Sequence, residues 1–292
     1  MSNLQETAIS EINQKIKETV SVQMDLDESD DEDAHKLFSN TLDSLLIRRD
    51  ILSCSKCHLR ETCPLPVPFS GTVDAYSRGL TICALSEAPG PDEDYQFISR
   101  AAKSVGLKID AHLNTVCCPP PKRHGSYSPI LEEVQACRVN LVQQIQHLDP
   151  WLIICFGGVA LQALRPEFRI TRDHGVVFPS YWPEINDGTC TRTHVTQPKH
   201  IWAIGVFSPS YVRRSGKGSP ESHKFAQDIK HISQIIQCRE YFGESEIYHR
   251  MVHAAVGAPC IPTEAGKVNK SRQTYLQVQD NIEAESIKYG QC

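Results

Sequence analysis

Residues 114–137 read NTVCCPPPKRHGSYSPILEEVQAC. The stretch opens as a strand and then meets Pro119, Pro120 and Pro121. Each proline lacks an N–H and fixes φ, so the strand ends there. A basic loop with Gly and Ser follows, then a helix that carries Cys137. Cys117 and Cys118 therefore sit at a strand's carboxyl end, the side of an open α/β sheet where ligands bind. A second pair lies upstream in Cys54-Ser55-Lys56-Cys57. Two distant thiol pairs that meet in a fold point to a metal centre.

Outward from this stretch the pattern alternates. Leu80 to Leu85 reads as a buried strand, followed by the turn Ser86-Glu87-Ala88-Pro89-Gly90-Pro91 and a helix from Asp94 to Val105. A strand spans His112 to Val116. The helix Leu131 to His147 leads to a third strand, Trp151 to Phe156, and Gly157-Gly158 turns into the helix Val159 to Leu164. A short strand fits His174 to Phe178. Ile201 to Phe207 is a fourth long strand, and the helix Ser222 to Gln237 closes the fold. Strands alternating with helices predict a three-layer αβα domain around a mostly parallel, four-stranded central sheet.

The flanks read differently. Leu4, Ile9, Ile12, Ile16 and Val20 recur at helical spacing, and residues 24–35, MDLDESDDEDAH, form an acidic linker that has little to bury. Residues 1–35 are thus a helical arm, 36–238 the α/β domain and 239–292 an irregular tail. Ala34 to Ser53 predicts a helix that delivers Cys54 and Cys57. At 292 residues the chain can bury one sizeable core. Its net charge of −5 comes largely from the acidic block. MSNLQETAIS has neither the basic nor the apolar region of a secretory signal, and no apolar run reaches membrane-span length. An intracellular chain is expected, one whose 12 cysteines serve metal or redox chemistry rather than a disulfide framework. Cys83 and Cys155 lie inside apolar runs and suit simple packing.

Cys54, Cys57, Cys118 and Cys137 give a CxxC…C…C set. Four thiolates hold iron–sulfur clusters, and they also hold Zn²⁺ tetrahedrally; spacing alone leaves both open. Cys63 and Cys117 are further thiols close to the set.

Taken in order, the motifs make residues 54–237 similar to the family 4 uracil-DNA glycosylases, the iron–sulfur branch of that superfamily. LSEAPGPDED (85–94) resembles the family's GEAPG…ED loop, and NTVCCPP its TNVVKCRPP strand and loop. EEVQAC (132–137) resembles its fourth-cysteine helix. LDPWLIICFGGVALQAL (148–164), ITRDHG (170–175) and SPSYVRR (208–214) resemble the later motifs. The resemblance implies a [4Fe-4S] cluster on Cys54, Cys57, Cys118 and Cys137. It also implies that Asn114 reads the uracil edge, that Glu87 orients water, and that Ser208, Ser210 and Tyr211 press on the DNA backbone.

Two departures from the family pattern stand out. Ser208 occupies the place of a histidine that donates to the uracil oxyanion. The segment whose Phe stacks on the base is missing, and Phe97, or Tyr95 beside it, is the candidate to take its place against the base. Lys122 and Arg123, and Arg213 and Arg214, supply cations for phosphate contacts, on single- or double-stranded DNA. The expected function is uracil excision from DNA. The alternative is a catalytically silent iron–sulfur module that binds DNA within a replication or repair assembly. The N-terminal helix and the C-terminal tail are the places expected to meet a protein partner.

Overall fold

A computed structural model describes residues 3–26, 32–71, 81–121, 128–180 and 201–236. The tail expected from 239 onward and the insertion over 181–200 lie outside the described residues.

Six strands form one sheet: β1 (Ser70–Gly71), β2 (Ile82–Ser86), β3 (Ala111–Asn114), β4 (Leu152–Phe156), β5 (Val177–Ser180) and β6 (Ile201–Val206), in the order β1-β3-β2-β4-β6-β5. The four inner strands are parallel. The outer two, β1 and β5, are short and antiparallel, so the predicted four-stranded sheet gains an edge strand on each side. Every residue of β4 and β6 is buried. That is the signature of strands covered on both faces, and it is why they read as continuous apolar runs.

Alternate residues feed two cores. Ile82, Ala84, Leu152, Ile154, Phe156, Ile204 and Val206 face one layer. Cys83, Leu85, Ile153, Cys155 and Ala203 face the other, as a side-chain period of two requires. The first layer holds α4 (Asp92–Ser104), through Ile98 and Ala102, and α9 (residues 220–236), through Phe225, Ile229, Ile232 and Ile235. The second holds α5 (Leu131–Leu148), through Leu141, Ile145 and Leu148, and α6 (Gly158–Leu164), through Ala160, Leu161 and Leu164. The short helices α3 (Leu59–Thr62), α7 (Ile170–Asp173) and α8 (Pro209–Ser215) punctuate the connections.

The amino-terminal arm is a pair of packed helices, α1 (Asn3–Leu26) and α2 (Glu32–Leu52). The acidic stretch expected as a linker begins inside α1 and ends inside α2, and its middle, 27–31, lies outside the described residues. α2 packs on α5. The buried amide of Gln5 donates to Leu52 O at 2.6 Å and accepts from Arg60, whose guanidinium also bonds Cys63 O. This ties α1 to the loop after Cys57. Among the described residues no helix is long and apolar enough to cross a membrane.

Register sets the site. Asn114, Ser86, Phe156 and Val206 lie side by side at the carboxyl edge of the four parallel strands. The chain leaves β2 toward β3 on one side and leaves β4 toward β6 on the other. The crevice between β2 and β4 is therefore the topological switch point, where doubly wound sheets take their ligands.

Candidate active site

A cavity of about 880 Å³ opens at that crevice, within the size range of small-molecule sites. Glu87 follows β2 directly and lies on its wall. Its Oε1 accepts from Val159 N at 3.1 Å and its Oε2 from Ser128 Oγ at 3.2 Å. Gly157, with φ 105, gives the carboxylate its room: a Cβ there would run into Oε1. Burial pushes the Glu87 carboxyl above its ordinary value of 4.5. The donated bonds of Val159, Ser128 and Gly158 and the charge of Arg214 oppose the shift. The turn Gly157-Gly158 was legible as a turn; its role as the seat of Glu87 was not.

The opposite wall follows β6. Ser208 caps α8, its Oγ accepting from Tyr211 N at 3.4 Å and lying 3.5 Å from Ser210 Oγ. Pro209 sits at the first helical position, where its missing N–H costs nothing. Ser208, Ser210, Tyr211, Arg213 and Arg214 all line the cavity. The Tyr211 ring leans on Phe207, with centroids 5.6 Å apart. Arg213 donates to Asp94 Oδ1 at 2.5 Å, joining α8 to the first turn of α4 across the cavity mouth. Asp92 and Glu93 are exposed in that turn, where acids suit a helix N-terminus.

Asn114 closes the floor but does not reach the cavity. It is 4% exposed, and Tyr95, whose hydroxyl donates to Asn114 Oδ1 at 3.4 Å, lines the cavity. Phe97 turns away altogether. Its ring packs on Phe225, centroids 5.2 Å apart, in the core beneath α4. Two residues along a helix turn a side chain by about 200°, so Tyr95 and Phe97 cannot both face the site. Lys122 and Arg123 lie outside the described residues.

The thiols gather behind the floor. Cys54, Cys57, Cys117, Cys118 and Cys137 line one small void together with Asn140. Asn140 Nδ2 donates to Cys54 Sγ at 3.5 Å and to Cys137 Sγ at 3.7 Å, and Gln144 Nε2 donates to Cys117 Sγ at 3.7 Å. Burial pushes the Cys57 thiol up, and Cys137 and Cys54 add to it. Cys63 is buried, and its thiol lies beside that of Cys118. Among the described residues no three of these side chains are drawn up as they are around a bound ion. Their chemistry nevertheless fits a thiophilic centre: convergent sulfurs, amide donors aimed at them, and no carboxylate lining the void.

The family model of the uracil DNA glycosylase superfamily matches residues 67–230, more than half of the chain, and the chain belongs to that superfamily. Its relatives narrow the branch. It is 36% identical over 128 residues to the type-4 uracil-DNA glycosylase of Archaeoglobus fulgidus, covering 40% of this chain and 60% of that protein. It is 32% identical over 126 residues to the type-4 enzyme of Pyrobaculum aerophilum, with 39% and 60% covered. With the type-4 enzyme of Saccharolobus solfataricus it shares 31% identity over 168 residues, 47% of this chain and 74% of that protein. The chain thus spans about 60% of the length of the first two relatives, and it is a divergent member of the type-4 branch.

Proposed function

We propose that this protein is a DNA glycosylase that hydrolyses the N-glycosidic bond of uracil, or of a closely related base, in DNA. The observation that carries the proposal is the half-buried carboxylate of Glu87. It is fixed by a backbone N–H and a hydroxyl at the switch-point cavity, opposite a wall of serines and arginines. A glycosylase extrudes the base into a pocket before it can reach the glycosidic bond. Cleavage leaves an anionic base and a cationic sugar. Glu87 orients the attacking water and stabilises the sugar's charge. Ser208 and its neighbours face the base oxyanion and the phosphates. Arg214 supplies positive charge at the rim, and Arg213 is held in place by Asp94.

Cys54, Cys57, Cys118 and Cys137 would hold a [4Fe-4S] cluster, with zinc the competing ion for the same four sulfurs. The cluster's contribution when bound is structural: it ties the CxxC segment to the loop after β3 and to α5. Lys122 and Arg123 follow Pro121 in the sequence and are assigned to phosphate.

Ser208 favours a second reading, a silent DNA-binding module, because a neutral serine replaces a histidine donor. Loss of one oxyanion donor costs about 10²–10³ in rate. The test is incubation of anaerobically purified protein with single- and double-stranded oligonucleotides carrying one uracil, followed by alkali. Strand breaks at the uracil are expected. Binding without breaks, in protein that carries its iron, would leave the module.

A further inference from the structure

We propose that α1 clamps the cysteine centre. Gln5 pins both ends of the Cys54–Cys57 loop and so slows release of the metal from the sulfurs, and the loaded centre in turn holds α1 down. The inference rests on the reading of those sulfurs as a metal site and goes on to say what controls the metal's retention.

Leu4, Glu6 and Thr7 are exposed, yet Gln5 between them is 2% exposed, and among the described residues of α1 it is the one that is fully buried. A buried amide is placed by what it bonds, not by apolar packing. Gln5 bonds two groups that lie 47 and 55 residues away in sequence. Its Nε2 donates to Leu52 O, in the last residue of α2, at 2.6 Å. The last carbonyls of a helix have no partner inside it, so this bond closes α2 where the chain leaves for Cys54. Its Oε1 accepts from the Arg60 guanidinium, which also donates to Cys63 O at 2.6 Å.

Leu52 stands just before Cys54, and Arg60 just after Cys57. One side chain therefore spans the loop that carries half of the four sulfurs. Arg60 also lines the void that the sulfurs share, as do Ile51 and Leu59 from the same segment. From the other side, His58 Nε2 meets Glu133 Oε1 at 2.8 Å, on the helix that carries Cys137. With Gln5 in place the loop is fixed at both ends and against α5. A loop ordered before the metal arrives loses less freedom on binding it. A ligand that binds only the ordered arrangement stabilises that arrangement, and the coupling is reciprocal: docked α1 favours bound metal, and bound metal favours docked α1. Gln5 is then a positioning residue for the centre, acting through Leu52 and Arg60.

The test needs no DNA. The full chain is purified anaerobically, its iron and zinc are measured, and release of the metal to a chelator is followed for wild type, Gln5→Ala and Gln14→Ala. Gln14 is exposed on the same helix and bonds Glu18 one turn on, so it serves as the control. Gln5→Ala is expected to release metal about tenfold faster than wild type, a coupling of ordinary size, and Gln14→Ala at the wild-type rate. Limited trypsin digestion of wild type, read by mass spectrometry, gives the reciprocal measurement and needs no variant to fold. Chelation is expected to speed cutting at Lys15 and Lys17 of α1 about tenfold, ahead of any cut at Lys103 in α4. A Gln5→Ala variant that holds its metal as wild type does overturns the proposal and leaves the metal reading intact. So does a Gln14→Ala variant that loses metal as fast as Gln5→Ala. Cutting in α1 that ignores chelation, or that comes together with cutting at Lys103, overturns the reciprocal coupling and the clamp with it. Wild type carrying neither iron nor zinc overturns the metal reading itself, and this inference falls with it.

Discussion

Glu87 is the side chain whose environment says most. It is half-buried, hydrogen-bonded by Val159 N and Ser128 Oγ, and shifted upward chiefly by the loss of solvent around it. A carboxylate that orients water must be charged, so activity falls as pH drops through its pKa in the fold. The acid limb of the pH–rate profile is expected above the ordinary carboxylate value of 4.5. A limb at or below that value would remove Glu87 from the role. Ser208 allows a gain-of-function test. Ser208→His restores a donor that can carry charge and is expected to raise excision by about 10²-fold. The same change removes the α8 cap, since Ser208 Oγ accepts from Tyr211 N, at a cost of about 1 kcal/mol in stability. Faster excision with a lower melting temperature is the predicted pair of results; an unchanged rate would mean the wall after β6 does not meet the oxyanion.

The motif residues were readable one by one. Glu87 and Ser208 both line one cavity. Phe97 was misleading because composition says only that an aromatic residue is close to the loop. Whether Tyr95 or Phe97 faces the pocket depends on the rotational phase of α4, and that phase is set by where the helix starts.

At the scale of elements, the turn between β4 and α6 carries the tightest constraint. Gly157 holds φ 105, and a side chain there would collide with Glu87 Oε1. Gly157→Ala is expected to cost about 1–3 kcal/mol through the backbone alone. It should also lower excision by more than the lost stability explains, because the carboxylate must move. Melting curves and single-turnover rates on the same preparation check both. Equal losses, with kcat intact in the folded fraction, would mean that Glu87 is not seated by this turn. The inner strands were legible from their apolar runs because both faces are buried. β1 was not: Ser70–Gly71 is two exposed residues, too short to show a period. β5 was expected as a short strand over His174 to Phe178, and it runs from Val177 to Ser180. Its antiparallel direction comes from pairing with β6, which no local pattern encodes.

Across the whole molecule, the sulfur cluster joins three parts that are far apart in sequence: the segment after α2, the loop after β3, and α5. Cys117 and Cys118 both lie beside Cys137; Cys118 is also beside Cys63 and Cys57, whereas Cys117 takes the amide of Gln144. Cys118→Ser is therefore expected to lose most bound iron and to melt at a lower temperature, while Cys117→Ser keeps its iron. Iron content after anaerobic purification reads this directly. The reverse pattern would exchange the two assignments, and zinc in place of iron would change the ion but not the architecture. Spacing could not choose between adjacent cysteines, since that choice depends on which sulfur turns toward the CxxC segment. The roles of α1 and α2 were legible only as helices; their anchoring through Gln5 and Arg60 is a tertiary fact.

The most direct measurement of the central claim compares wild type with Glu87→Gln on a single-stranded oligonucleotide carrying one uracil, under single-turnover conditions. Gln keeps the shape and loses the charge. Wild type is predicted to generate alkali-labile sites, and Glu87→Gln to be slower by about 10²–10⁴-fold with its fold and iron content unchanged. A Glu87→Gln protein that excises uracil at the wild-type rate would contradict the account.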